Sequence, residues 1–214
     1  MTVKFKRRYH ILIVVFLAVQ FAHAALPPDY PAMFSELSGL MDSEELGPGG
    51  MLRGGWLATR YFSTAAEGLD FNQSRFTAAQ TAGTAGLAGL FLAVHGTQVQ
   101  HQFVCKTLET DKTKRVLMGR IFGTETAFFQ SLENGESLSP LIETLPSTDR
   151  LRLLLRMLIQ SKDFLTRRAG LFWGHWFPDG EYWKTVREMA AKDPDAVNRA
   201  CAQRLLGRPF RGRG

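Results

Sequence analysis

Ser147-Thr-Asp-Arg-Leu-Arg-Leu-Leu-Leu-Arg-Met-Leu-Ile-Gln-Ser-Lys-Asp-Phe-Leu-Thr-Arg-Arg-Ala-Gly170 is the stretch on which the fold class turns. Leu151, Leu154, Leu155, Leu158, Phe164 and Leu165 recur at the spacing that puts side chains on one helical face. Ser147 or Thr148 can cap the start, and Asp149 suits the positive end of the helix dipole. Arg167 and Arg168 suit the negative end, and Gly170 stands where a left-handed C′ residue is favoured. The spacing predicts a single helix over 147–170.

Reading outward from it gives more helices and no strands. Towards the C-terminus, Asp179 can cap a helix over 180–192. Asp193-Pro194 then opens another, which Gly207 ends. Towards the N-terminus, Leu138 to Leu145 stops at Pro146, and Asn134-Gly135 is a turn signal. Val116 to Leu132 carries Leu117, Ile121, Phe128 and Leu132 on one face. Residues 98–110 fit a helix or a strand equally well. Residues 51–69 suit a short helix whose aromatic face holds Trp56, Leu57, Tyr61 and Phe62. Gly47-Pro48-Gly49-Gly50 reads as a loop. Before it, Phe34, Leu37, Leu40 and Met41 share a face in a helix that Asp29 and Pro31 can start. No repeat and no sustained period-2 run occurs. The expectation is an all-α, irregular domain of about six to eight helices.

One of these segments is unusual. No Asp, Glu, Lys or Arg occurs between Arg75 and Lys106. Within it, 76–94 carries small residues four apart: Ala79/Gly83, Ala82/Gly86, Ala85/Gly89 and Gly89/Ala93. Such a ladder lets another backbone come close. Each glycine costs about 1 kcal/mol of helix stability against alanine in water. Gly83, Gly86 and Gly89 therefore call for compensating packing, in a protein core or in a membrane.

The first 24 residues read as targeting. Lys4, Lys6, Arg7 and Arg8 form a cationic head, Ile11 to Val19 is an apolar run, and Ala22-His23-Ala24 is a small-x-small site. That order is a secretory signal, cleaved after Ala24. The run is short for a membrane span, which needs about 20 residues. An uncleaved anchor is the alternative. The expected divisions are a signal over 1–24, an acidic helical segment over 25–70, a main helical domain over 71–206 and a flexible basic tail over 207–214.

Cleavage changes the charge. The chain has 26 basic and 20 acidic residues. Four of the basic residues and none of the acids lie in 1–24, so 22 stand against 20 afterwards. The basic pI therefore gives no reason to expect a nucleic-acid partner. Two cysteines, Cys105 and Cys201, in an exported chain predict one disulfide.

Motifs that carry chemistry are scarce. His95 and His101, six apart, would lie about 240° from each other on a helix, and they match no zinc spacing. No G-x-S-x-G, P-loop or dinucleotide fingerprint occurs. Neither a cofactor nor a metal is expected, and nothing points to an enzyme. The distinctive segment is Leu171-Phe-Trp-Gly-His-Trp-Phe-Pro-Asp-Gly-Glu-Tyr-Trp183, with six aromatic rings in thirteen residues. Trp173, His175, Trp176, Phe177, Tyr182 and Trp183, beside Arg167 and Arg168, make it the candidate binding site. Its rings can meet a protein partner or a membrane surface; equally, they can fill a corner of the core. The expected function is an exported, periplasmic or secreted, non-enzymatic binding or assembly protein, oligomeric or membrane-associated in some settings. The alternative is a membrane-embedded component of a transport or secretion assembly built on the 76–94 ladder.

Overall fold

The computed structural model describes residues 30–43, 48–63, 68–122, 149–175 and 177–207. Among these residues every regular element is a helix, and there are ten: α1 (Tyr30–Asp42), α2 (Pro48–Ser63), α3 (Leu69–Ala78), α4 (Ala82–His95), α5 (Gln98–Thr110), α6 (Lys112–Phe122), α7 (Asp149–Ile159), α8 (Phe164–Gly174), α9 (Gly180–Lys192) and α10 (Ala196–Leu206). The all-α expectation holds, and the helix number exceeds the expected range. The signal segment, the predicted helix over 138–145 and the tail beyond Gly207 lie outside the described residues, as does the predicted Val116–Leu132 helix beyond Phe122.

The extra helices come from short breaks that cap themselves. Thr81, Asp163, Asp179 and Asp195 each accept the backbone N–H three residues on. Thr97 forms a reciprocal capping box with Gln100. Each cap satisfies donors that a helix start otherwise leaves without partners, so a chain direction can change within two or three residues.

The 147–170 stretch is the main correction. It is two helices, α7 and α8, parted at 160–163. Asp163 accepts from Thr166 N at 2.7 Å and Thr166 Oγ1 at 2.8 Å. Leu151, Leu154, Leu155 and Leu158 are buried as the stripe requires, but Phe164 is 44% exposed. Gly170 is no cap: it lies inside α8, where a Cβ would stand 2.7 Å from the Leu158 carbonyl carbon. Glycine there lets α8 cross the end of α7 backbone to backbone. Two smaller differences follow the same chemistry. Pro48 opens α2 instead of sitting in a loop, since its missing N–H costs nothing in a first turn. Residues 98–110 are helical, started by the Thr97 box.

Helix α4 is the centre of the fold. It packs on α1, α3, α5, α6 and α7, and Ala85, Leu87, Ala88, Phe91 and Leu92 are almost wholly buried. The 76–94 run is therefore not one helix: α3 ends at Ala78 and α4 begins at Ala82. The ladder does what its spacing predicts where it faces backbone. A Cβ at Gly83 would collide with Ser38 O of α1, and Gly83 N donates to Asp42 Oδ1 at 2.7 Å. At Gly89 the neighbour is a side chain, Met118 of α6, with Sδ 2.7 Å from a Cβ position. Gly86 is buried. Among the described residues no helix is long and apolar enough to cross a membrane.

Several polar groups inside this core are paired. Tyr61 Oη donates to Asn72 Oδ1, while Asn72 Nδ2 donates to Tyr30 Oη at 2.9 Å and Gly68 O at 2.8 Å. The buried Lys114 ammonium donates to Ala79 O, where α3 ends, and so meets the negative end of that helix.

Candidate functional site

The aromatic corner is the turn between α8 and α9. Leu171, Phe172, Trp173, His175, Phe177 and Tyr182 are buried, and Trp183 is half-buried. Trp176 lies outside the described residues. Tyr182 Oη donates to Leu171 O at 2.8 Å. The His175 ring meets Trp183 edge-on, with centroids 5.6 Å apart, and Tyr182 at 6.4 Å. A Cβ at Gly174 would stand 2.7 Å from Tyr182 Cε2, so glycine allows the Tyr182 ring to lie against the chain. Of the candidate binding residues, Trp173, His175, Phe177 and Tyr182 are thus interior packing in this structure, and Trp183 is the described ring of the set that reaches solvent.

The two arginines beside the corner are engaged in joining helices. Arg167 grips Asp193 with Nε and Nη2 at 2.8 and 2.9 Å, and its Nη1 donates to Ser161 O at 3.0 Å. Arg168 Nε donates to Asn198 Oδ1 at 2.8 Å and its Nη2 to Asp195 Oδ1 at 3.0 Å. Arg156 Nη2 reaches Asp179 Oδ2 at 2.7 Å, and Arg115 Nη1 reaches Asp163 Oδ2 at 2.8 Å. Asp163, Asp179 and Asp195 are therefore N-caps and ion-pair anions at once. Burial pushes the Asp193 carboxyl up, but the Arg167 guanidinium and the Asp195 N–H outweigh it and hold it below the usual range. Of these caps the sequence pattern marks Asp179; Asp163 lies inside the predicted 147–170 helix, and the predicted last start is Asp193-Pro194, two residues before the cap Asp195. Their arginine partners lie 23 to 48 positions away and leave no local signal.

Burial favours the neutral form of the histidines, at the corner and beyond it. Burial alone pushes His175 down to about 4, so its imidazole is uncharged at pH 7. Burial lowers His95 and His101 as well. His101 Nε2 lies 3.1 Å from Ala93 O and must donate to it, because a carbonyl only accepts. The two histidines stand on separate helices, α4 and α5, parted by the Thr97 cap. Among the described residues no three His, Cys, Asp or Glu side chains converge as a metal site.

The predicted disulfide is absent. Cys105 and Cys201 are both buried and neither is in a disulfide. Cys105 faces α7, with its thiol 3.8 Å from Met157 O and 3.9 Å from Glu109 Oε1. Cys201 is on α10, which packs chiefly on α9 and α8. Burial, and then Glu109, push the Cys105 thiol up to about 11, so it stays protonated and is a poor nucleophile at neutral pH.

Large apolar side chains reach solvent elsewhere. Trp56 on α2 is 52% exposed, with the Arg60 guanidinium 4.6 Å from its ring centroid. Phe164 and Val197 are exposed at the starts of α8 and α10, and Asn198 Nδ2 donates to Phe164 O at 2.9 Å. Periodicity put Phe164 in a buried stripe and Trp56 on an aromatic helix face, so neither exposure was foreseen. No family model matches the chain, and neither does any curated protein or solved structure.

Proposed function

We propose that this is an exported helical protein that works by binding, in an assembly with a protein partner or against a membrane surface, rather than by covalent chemistry. The observation that carries the reading is how the polar side chains around the corner are used. Asp163, Asp179, Asp193 and Asp195, with Arg115, Arg156, Arg167 and Arg168, fix helix ends, and Cys105 is held as a thiol. Fixed helix ends give a scaffold that presents Phe164 and Val197, at the starts of α8 and α10, with little freedom to lose on association, and Trp56 is exposed separately on α2. The signal-like order of residues 1–24 supports export, periplasmic or secreted. The alternative, a membrane-embedded component, needs 76–94 as a span. That run is broken at 79–81, and the 14 residues of α4 make about 21 Å against the roughly 30 Å of a hydrocarbon core.

The test is chemical cross-linking in cells that make the tagged protein, followed by carbonate washing of the membranes. Trp56→Ala and Phe164→Ala should leave the melting temperature within about 2 °C, as surface changes do, and lower the yield of cross-linked species by about tenfold. Equal cross-linking by wild type and both variants would count against a binding role for this surface.

A further inference from the structure

Helices α9 and α10 form a hairpin that is bonded within itself. They pack along each other. Gln203 Nε2 donates to Ala190 O at 3.1 Å, and Arg199 Nη1 donates to Asp193 O at 2.6 Å and Pro194 O at 3.1 Å. Its links outward are of another kind. Asp179, at its entry, pairs with Arg156 of α7. Asp193 and Asp195, at its tip, pair with Arg167 and Arg168 of α8. In all three pairs the anion belongs to the hairpin and the cation to α7 or α8. The remaining links are Tyr182 Oη donating to Leu171 O, Arg168 Nε donating to Asn198 Oδ1 and Asn198 Nδ2 donating to Phe164 O.

We propose that α9–α10 opens from α7–α8 as one unit, with the three carboxylate–guanidinium pairs as its clasp. A segment opens as a unit when its internal contacts outnumber those that dock it. The hairpin meets that condition, since α9 and α10 pack chiefly on each other, while Tyr182, Val186, Cys201 and Leu205 also join the common apolar core. Ion pairs with partly exposed members, here Arg156–Asp179 and Arg168–Asp195, weaken as salt screens them, whereas the buried Arg167–Asp193 pair and the apolar packing respond far less. Arg156 and Asp179 are the most exposed pair of the three and sit nearest the corner. Opening there draws Trp183 and Tyr182 away from His175 and uncovers corner rings that the closed form keeps from solvent. This inference concerns the fold's own motion and stands whether or not the binding reading is correct.

Native-state hydrogen exchange on the full chain, in about 0.02 M and 0.5 M sodium chloride, tests it. The amides of 183–206 should share one opening that is about tenfold or more faster than that of the 86–95 amides of α4. High salt should widen that ratio by about threefold or more. Arg167→Gln with Arg168→Gln should widen it at low salt, and the wild-type salt series decides the matter if that variant does not fold. Exchange of 183–206 at the α4 rate, or a ratio that salt leaves unchanged, overturns the proposal.

Discussion

At Gly170 a single residue type hides two different roles. In sequence it follows two arginines at the end of a leucine stripe, where a C′ glycine is expected. In the structure it is a crossing point, because α8 lies against the backbone of Leu158 and Ile159. Sequence periodicity cannot separate the two, since both want glycine at the edge of an apolar stripe. Gly170→Ala should therefore cost about 1–3 kcal/mol by overpacking, read in urea unfolding; an unchanged midpoint would mean the helices do not touch there. His175 gives a second outcome. Its folded pKa, about 4, lies below the ordinary 6.5, so the unfolded chain takes up the proton first as pH falls. Stability is full above about pH 6.5 and is lost down to about pH 4, with about 2 kcal/mol gone between pH 7 and pH 5. His95 and His101 act in the same direction. His175→Phe, if it folds, should flatten the fall by about that amount, and an equally steep fall in the variant would assign the acid response to other groups. The two thiols complete this scale: both should resist alkylation in the folded protein and react after unfolding, and a cross-linked peptide pair would restore the predicted disulfide.

Among the elements, the helix starts were more legible than the helix partners. Asp179 and the range 180–192 were read correctly from a cap followed by apolar periodicity, and Gly207 from its place after α10. The break at 160–163 was missed because Asp163 sits within a stripe that Leu158 and Phe164 continue on either side. The aromatic corner was located but its exposure was not, because six rings and a glycine look alike whether they face solvent or a neighbouring helix. The charge pairs set the next prediction. Asp193 is almost fully buried beside Arg167, so Asp193→Ala leaves a guanidinium unpaired and should cost about 3 kcal/mol or more. Glu36 pairs with Arg53 at the surface, so Glu36→Ala should leave the unfolding midpoint within error. Equal effects of the two would show that the Arg167 pair is as well solvated as the other.

For the whole molecule, the fold class followed from period 3.6 and the lack of period 2, whereas the charge-free run called only for close packing, and the structure makes its α4 part the centre of the core. The membrane alternative grew from the same run. Its glycines are compensated instead by Ser38 and Asp42 of α1 and by Met118 of α6, which is the packing that a glycine-rich helix requires. What no local pattern supplies is the pairing of α7 and α8 arginines with the aspartates that flank α9 and α10. The functional reading rests on export. The intact mass of the protein recovered from outside the cytoplasm measures this most directly. It should correspond to a chain beginning at Ala25, whereas a protein that stays in the cytoplasm with Met1 retained would contradict export and the binding role built on it.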